Sequence, residues 1–238
     1  MLISVIMPVF NGLEYLSESI DSILKQSYQD FEFIIIDDAS TEPVWTLLHS
    51  IRDKRLVLRR NTSNLGLTKS LNICLDLAHG DLFARHDGDD IALPNRFSME
   101  VERFRGNIGL VSCWAKAIDS GGQEKNSGWE DRIARISARE VRRLLPVQNC
   151  VIAPGAMFSR KVFEKIGYFD ESVRFAQDYN YWLRLLEYFD LDIVEEDLVL
   201  KRHHKENVWK KPGYIDWVKR AKERASIMKI IKKKIKFL

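Results

Sequence analysis

The chain has 238 residues, 45% of them hydrophobic, 30% charged and 11% aromatic, with a mean hydropathy of -0.24. Those values exclude a disordered, collagen-like or disulfide-stapled small scaffold, and the length allows a core that needs no covalent or metal staple. The formal charge of +3 hides an asymmetry: residues 201–238 hold 14 Lys/Arg against Glu206, Asp216 and Glu223, which leaves the preceding 200 residues net acidic.

In chain order, residues 3–7 read as a buried strand, Leu16, Ile20, Ile23 and Leu24 share one helix face, and residues 31–36 form the next strand, bounded by Asp37 and Asp38. A short helix follows at 43–51, a strand at 56–58, a helix face at Leu67, Leu71, Cys74, Leu75 and Ala78, and a strand at 82–84. This alternation predicts βαβ crossovers: an α/β fold with a mainly parallel central sheet and helices on both faces. Beyond residue 110 the pattern loosens. It gives a strand at 111–117, a Gly121-Gly122 turn, a short helix at 138–145 ended by Pro146, an irregular segment at 149–159 leading into a strand, an apolar helix near 177–189 and a last strand finishing at 198–200. One domain is expected over residues 1–203, divided near 110, followed by a basic tail at 204–238.

Cys74, Cys113 and Cys150 are widely spaced with no CxxC, which speaks against a disulfide framework or zinc knuckle and fits a reducing cytosol. The first apolar run stops at Pro8 with no basic residue before it, unlike a signal peptide, and no stretch approaches the roughly 20 apolar residues of a membrane span. In the tail, Val218, Ala221, Ala225, Met228, Ile231, Ile235 and Leu238 recur at spacings of three and four among lysines and arginines, the pattern of an amphipathic helix. Trp209, Tyr214 and Trp217 flank it, so the tail suits an anionic membrane surface; a helix packed on the body through the same stripe is the alternative.

Two acidic clusters fall at predicted strand ends, Asp37-Asp38-Ala39-Ser40-Thr41 and Asp87-Gly88-Asp89-Asp90. Each alone reads as a loop with helix caps. Together, at the carboxyl ends of one parallel sheet, they converge on the crevice where such sheets bind ligands, and their repulsion calls for a cation or hydrogen-bond donors. Hard oxygen ligands around Gly88 suit Mg²⁺ or Mn²⁺ shared with substrate phosphates, and neither GxxxxGK[ST] nor GxGxxG occurs.

The segments SVIMPVFN at 4–11, SILKQS at 22–27, FEFIIIDDAS at 31–40, NLGL at 64–67, ARHDGDD at 84–90 and QDY at 177–179 resemble the inverting glycosyltransferases of family 2, which have the GT-A fold. The resemblance covers residues 1 to about 200. It implies a nucleotide-diphosphate-sugar donor in the N-terminal half, a saccharide or lipid-linked acceptor in the C-terminal half, and a role in bacterial surface-polysaccharide synthesis at the inner face of the plasma membrane. By the same resemblance Asp37 and Asp38 help hold uridine, Asp87 and Asp89 contact ribose and the metal-bound diphosphate, and Asp178 is the catalytic base. Gln177 stands where Glu is usual. Pro8, Phe10, Asn11, Asn64, Gly66, Arg85 and Gly88 complete the expected donor site, with Arg85 either neutralising phosphate or pairing with the acidic clusters. An Arg-x-His element that closes over the diphosphate in related enzymes is here Arg202-His203-His204, so Arg202 and His204 are candidates for that contact.

Two other readings compete. A nucleotidyltransferase would use similar carboxylates, but residues 8–15, PVFNGLEY, offer one Gly and no basic residue after the first strand. A nucleic-acid-binding protein would interleave aromatic and basic residues on one surface, whereas the basic residues here are confined to the tail.

Overall fold

Alternate residues of the first strands enter two different cores. In the computed structural model, which describes residues 1–125, 135–173, 175–205, 207 and 219, strand β1 (Ile3–Val9) sends Ile3, Val5, Met7 and Val9 to one side of the sheet and Ile6 to the other. Strand β2 (Phe31–Asp37) divides likewise, with Phe33 and Ile35 on the first side and Ile34 and Ile36 on the second. Such runs look uniformly apolar in sequence because both faces of a parallel sheet are covered. The first side is closed by α1 (Leu13–Leu24) through Leu16, Ile20 and Ile23, by α2 (Val44–Ser50) through Val44 and Leu48, and by α4 (Arg96–Val101) through Phe97. The second is closed by α3 (Leu67–Leu77), α5 (Ala138–Leu144), α6 (Arg160–Ile166) and α7 (Gln177–Leu185), where Trp182, Tyr181, Phe158 and Phe169 interlock.

The sheet has eight strands in the order β3-β2-β1-β4-β7-β6-β8-β5. Strands β3 (Leu56–Arg60), β2, β1 and β4 (Leu82–Arg85) run parallel, so their carboxyl ends, Arg60, Asp37, Val9 and Arg85, finish along one margin. Strand β7 (Met157–Ser159) is antiparallel to both β4 and β6 (Ile108–Ile118), whereas β6 and β8 (Asp190–Arg202) are parallel to one another and β5 (Ile91–Ala92) is antiparallel to β8.

The mainly parallel α/β sheet with helices on both faces is therefore present. The sequence reading needs three corrections in the second half. The last strand starts at Asp190 and is 13 residues long, its apolar alternation broken by Glu195, Glu196 and Asp197 where the register with β6 shifts. The apolar helix ends at Leu185, well before residue 189. Helix α6 went unpredicted, being a short amphipathic segment directly after a strand. All three cysteines are buried and free. Among the described residues no helix is long and apolar enough to cross a membrane. The amphipathic tail falls outside the described residues.

Gly80 shows how tightly the strand starts are packed. A Cβ there would lie 2.6 Å from the Ser4 amide nitrogen and 2.7 Å from the Leu2 carbonyl oxygen. Both are backbone atoms of the β1 start, held by Gly80 N–H donating to Ser4 Oγ at 2.8 Å and by Asp81 N–H donating to Leu2 O at 2.8 Å. Gly80→Ala should therefore destabilise the protein by about 1–3 kcal/mol, the usual cost of overpacking. Chemical denaturation measures it, and an unchanged midpoint would show that the strand start yields.

Candidate active site

Each parallel strand delivers polar residues to the same margin. After β1, Phe10 is 50% exposed and Asn11 takes a left-handed conformation with φ 59°. That conformation lets Asn11 Oδ1 accept from the backbone N–H groups of Thr41 at 2.9 Å and Glu42 at 3.3 Å, while Asn11 N–H donates to Ser40 Oγ at 2.8 Å. The loops after β1 and β2 are thus laced together.

After β2, the two aspartates are buried and held. Asp37 Oδ1 accepts from Ser40 N–H at 2.8 Å, and Asp37 Oδ2 pairs with Arg60 Nε at 3.1 Å from the neighbouring strand end. Asp38 Oδ1 accepts from Asn61 Nδ2 at 2.7 Å and Leu65 N–H at 2.9 Å, and Asp38 Oδ2 accepts from Gly66 N–H at 2.8 Å. Asp38 therefore fixes the 61–66 loop, and with it Asn64 and Gly66, against β2. Gly66 has φ 87°, which suits glycine and opens α3.

After β4 comes the densest cluster. Arg85 is buried and its Nη2 donates to Asp87 Oδ1 at 2.6 Å. The Asp89 carboxylate meets His204 Nε2 at 2.7 Å and accepts from Asn207 Nδ2 at 3.3 Å. Asp90 accepts from Arg202 N–H at 2.7 Å, and burial, reinforced by the charges of Asp89 and Asp87, pushes its carboxyl well above the usual range. Gly88 lies close to β1: a Cβ there would be 3.1 Å from Val9 Cγ1. Beneath the loop, Ser19 Oγ donates to Asp87 O at 2.9 Å and lies 3.0 Å from His86 Nε2. Burial, together with the charge of Arg96, lowers His86 to about 3, which keeps it neutral.

Asp178 stands in the first turn of α7, after Ala176, itself left-handed at φ 57°. Its Oδ2 accepts from Asn149 Nδ2 at 3.2 Å. Burial raises its carboxyl above the ordinary range. The charge of Arg85 opposes that most, then hydrogen bonds from Tyr179 N–H and Asn149, while Asp87 adds to the rise. Among the described residues, the positive-φ residues other than glycine are Asn11, Ala39 and Ala176, the first two in the loops after β1 and β2 and the third just before Asp178.

Asp87 and Asp89 both keep part of their carboxylate surface open, and two hard-oxygen ligands that leave room for phosphate oxygens fit a Mg²⁺ or Mn²⁺ ion. Among the described residues no group of three or more His, Cys, Asp or Glu stands ready around one point. Arg202 is held by the protein through each nitrogen of its guanidinium: Nε donates to Asp89 O at 3.0 Å, Nη1 to Asp119 O and Ser120 O at 3.3 Å, and Nη2 to Glu18 Oε2 at 2.5 Å. Sequence reasoning missed Glu18, Asn61, Asn149 and Asn207, because an isolated polar residue carries no signal until its partner is beside it.

The profile described as Glycosyl transferase family 2 matches residues 4–167. An uncharacterized glycosyltransferase of Methanocaldococcus jannaschii is 32% identical over 208 residues, covering 84% of this chain and 70% of that protein. Another, from Haemophilus influenzae, is 32% identical over 215 residues, covering 85% of this chain and 66% of its own length. Among solved structures, S. aureus TarS 1–349 in complex with UDP superposes with a TM-score of 0.72 at 18% identity, over 94% of this chain and 65% of that one. The mannosyltransferase PcManGT from Pyrobaculum calidifontis, in complex with GDP-Man and Mn²⁺, does so with a TM-score of 0.65 at 20% identity, over 90% of this chain and 59% of that one. These structures share the fold, and the chain spans from 31% to 70% of the length of the curated relatives it matches.

Because three donors converge on Asp38, Asp38→Asn turns one of its acceptor oxygens into a donor facing a donor. We expect a loss of about 1–3 kcal/mol by chemical denaturation, with faster amide exchange at Leu65 and Gly66. Unchanged exchange at those two amides would show that the carboxylate does not hold the loop.

Proposed function

The chain belongs to glycosyl transferase family 2, and we propose that this glycosyltransferase moves a sugar, with inversion, from a nucleotide-diphosphate donor to a saccharide or lipid-linked acceptor. The observation that carries this reading is that the parallel β2 and β4 end side by side with β1, so that Asp37 and Asp38 lie at the same sheet margin as the loop bearing Asp87 and Asp89. A nucleotide fits this margin. The exposed Phe10 ring offers a face for a base, Asn11, Asp37 and Asp38 order the loops beside it, and Pro8, Asn64, Gly66 and Gly88 complete its walls. Asp87 and Asp89 would hold Mg²⁺ or Mn²⁺, which when bound supplies positive charge to a departing diphosphate. His204 adjusts the Asp89 carboxylate from the side, and Arg202 fixes the loop through the Asp89 carbonyl.

Asp178 is the general base of this scheme. Its carboxylate takes the proton of the acceptor hydroxyl as the oxygen attacks the anomeric carbon, and Asn149 orients it. A lipid-linked acceptor gives the basic, aromatic-flanked tail a purpose at an anionic membrane surface, and assembly of a bacterial surface polysaccharide or lipopolysaccharide is the process such an acceptor serves.

The test is release of nucleoside diphosphate from a panel of nucleotide sugars with Mn²⁺ or Mg²⁺. Asp178→Asn keeps the size of the side chain but not its basicity, so turnover should fall about 10²-fold with donor KM little changed. Weakened donor binding at unchanged turnover would move Asp178 to the donor site. Only the ionised carboxylate acts as a base and burial raises its pKa, so wild-type turnover should fall on acidification at a pH above the ordinary aspartate value. Asp89→Ala should remove the metal stimulation, measured as equal release with Mn²⁺ and with chelator; full Mn²⁺-stimulated release would free Asp89 of that role.

A further inference from the structure

Helix α3 buries polar residues among apolar neighbours. Thr68, Asn72 and Asp76 recur every four positions, which sets them in one row along the helix, and Thr68 and Asn72 are buried. The row meets segment 166–173, which leaves α6 and runs the opposite way to α3. Thr68 Oγ1 donates to Val173 O at 3.1 Å, and the Tyr168 hydroxyl donates to Asp76 Oδ1. Between them Asn72 uses its whole amide: Oδ1 accepts from Phe169 N–H at 3.0 Å, while Nδ2 donates to Phe169 O at 3.0 Å and to Glu171 Oε1 at 3.2 Å. A buried stretch of backbone needs partners, and here helix side chains supply them in place of a neighbouring strand.

The far side of the same segment belongs to α7. Arg184 Nη1 donates to Ile166 O at 2.8 Å and Nη2 to Tyr168 O at 2.6 Å, and the Phe169 ring stacks on Tyr181 with centroids 4.2 Å apart. Tyr181 lies one turn beyond Asp178, and Val173 lies four positions before Gln177, where α7 begins. Segment 166–173 is therefore the spacer between α3 and α7. The start of α3 is itself anchored to β2: Asp38 accepts from Gly66 N–H and Asn61 Nδ2, and Asn61 Nδ2 also donates to Ser70 Oγ at 3.0 Å.

We propose that Thr68 and Asn72 are positioning residues that fix the reach from the donor loop to the general base, by setting how α7 seats against α3. The inference rests on the reading of Asp178 as base and of residues 61–66 as part of the donor site. Apolar side chains would pack this face as Leu71 and Leu75 do; the polar pair adds a register, because a buried carbonyl left without its donor is costly. A slip of the segment by one residue would carry its backbone roughly 3.3 Å. A displacement of about 1 Å at a reacting group can already cost about 10²-fold in rate. Since α3 is anchored to β2, loosening the row moves the base and leaves the donor loop in place.

The experiment is nucleoside diphosphate release by wild type, Thr68→Val and Thr68→Ser, each with and without Asp178→Asn, using whichever nucleotide sugar of the panel turns over with Mn²⁺. Valine keeps the shape of threonine but not its hydroxyl, so kcat should fall about tenfold at unchanged donor KM. Serine keeps the donor and should stay within about twofold of wild type. Asn72→Ser, too short to span Phe169, should repeat the valine pattern. In the Asp178→Asn background Thr68→Val should cost nothing further, because effects that act through one group do not add. Wild-type kcat in Thr68→Val, a serine variant as slow as the valine one, or an equal fall with and without the base overturns the proposal. So does a rise in donor KM alone, which would assign Thr68 to the donor loop. If Thr68→Val melts below the assay temperature, Asn72→Ser is read by the same criteria; loss of the fold in both, with Thr68→Ser intact, makes the row a support of the fold alone and overturns the proposal too. Asp178→Asn tells the failures apart. If it is slow while Thr68→Val matches wild type, the positioning alone fails; if it is fully active, the base assignment fails and the positioning with it.

Discussion

Crowding of negative charge at one sheet margin is the constraint to which the rest of this site answers. Asp37, Asp38, Asp87, Asp89 and Asp90 all stand at the carboxyl ends of the strands, and like charges so placed repel one another. The fold meets the problem with donors from distant segments: Arg60 and Asn61 for the first pair, Arg85 for Asp87, Asn149 for Asp178, and Arg202, His204 and Asn207 for Asp89 and Asp90. The same donors fix the loops, so neutralising the site and shaping it are one process.

The first half of the fold was legible because its strands are short, apolar and bounded by polar turns, and because each intervening helix shows its apolar face at regular spacing. Leu16, Ile20, Ile23 and Leu24 were expected to share a face; the first three are buried and Leu24 is partly buried against the same core. The second half was harder to read. Strand β8 carries Glu195, Glu196 and Asp197 in its middle, and only pairing with β6 across a register shift keeps them in a strand. Strand β7 is three residues long and is fixed entirely by its neighbours β4 and β6. Such elements are made by tertiary context, which local patterning does not record.

In the site, sequence marked the carboxylates but not what holds them. Asp87 and Asp89 stand out through their spacing around Gly88, and Asp178 through a motif. Asn149, 29 positions before Asp178, is one asparagine among several until the fold brings the two together. Arg96 and Glu100 are visible as an i, i+4 pair, but such pairs are usually solvated; nothing local says that this one is entirely buried beneath the Arg85 carbonyl. Arg202 fits a basic run equally well, yet it serves as a clasp between α1 and the loop after β4.

That clasp bears on how the protein is made. Arg202 joins Glu18, 184 residues earlier, and its backbone N–H meets Asp90, 112 residues earlier. A chain emerging from the ribosome folds its first segments first, so β1 to β4 can pair while Asp89 and Asp90 still lack the partners that steady them. The loop after β4 is finished only when Arg202, His204 and Asn207 arrive, and a nascent chain stalled before that point carries the aspartates without the donors that hold them.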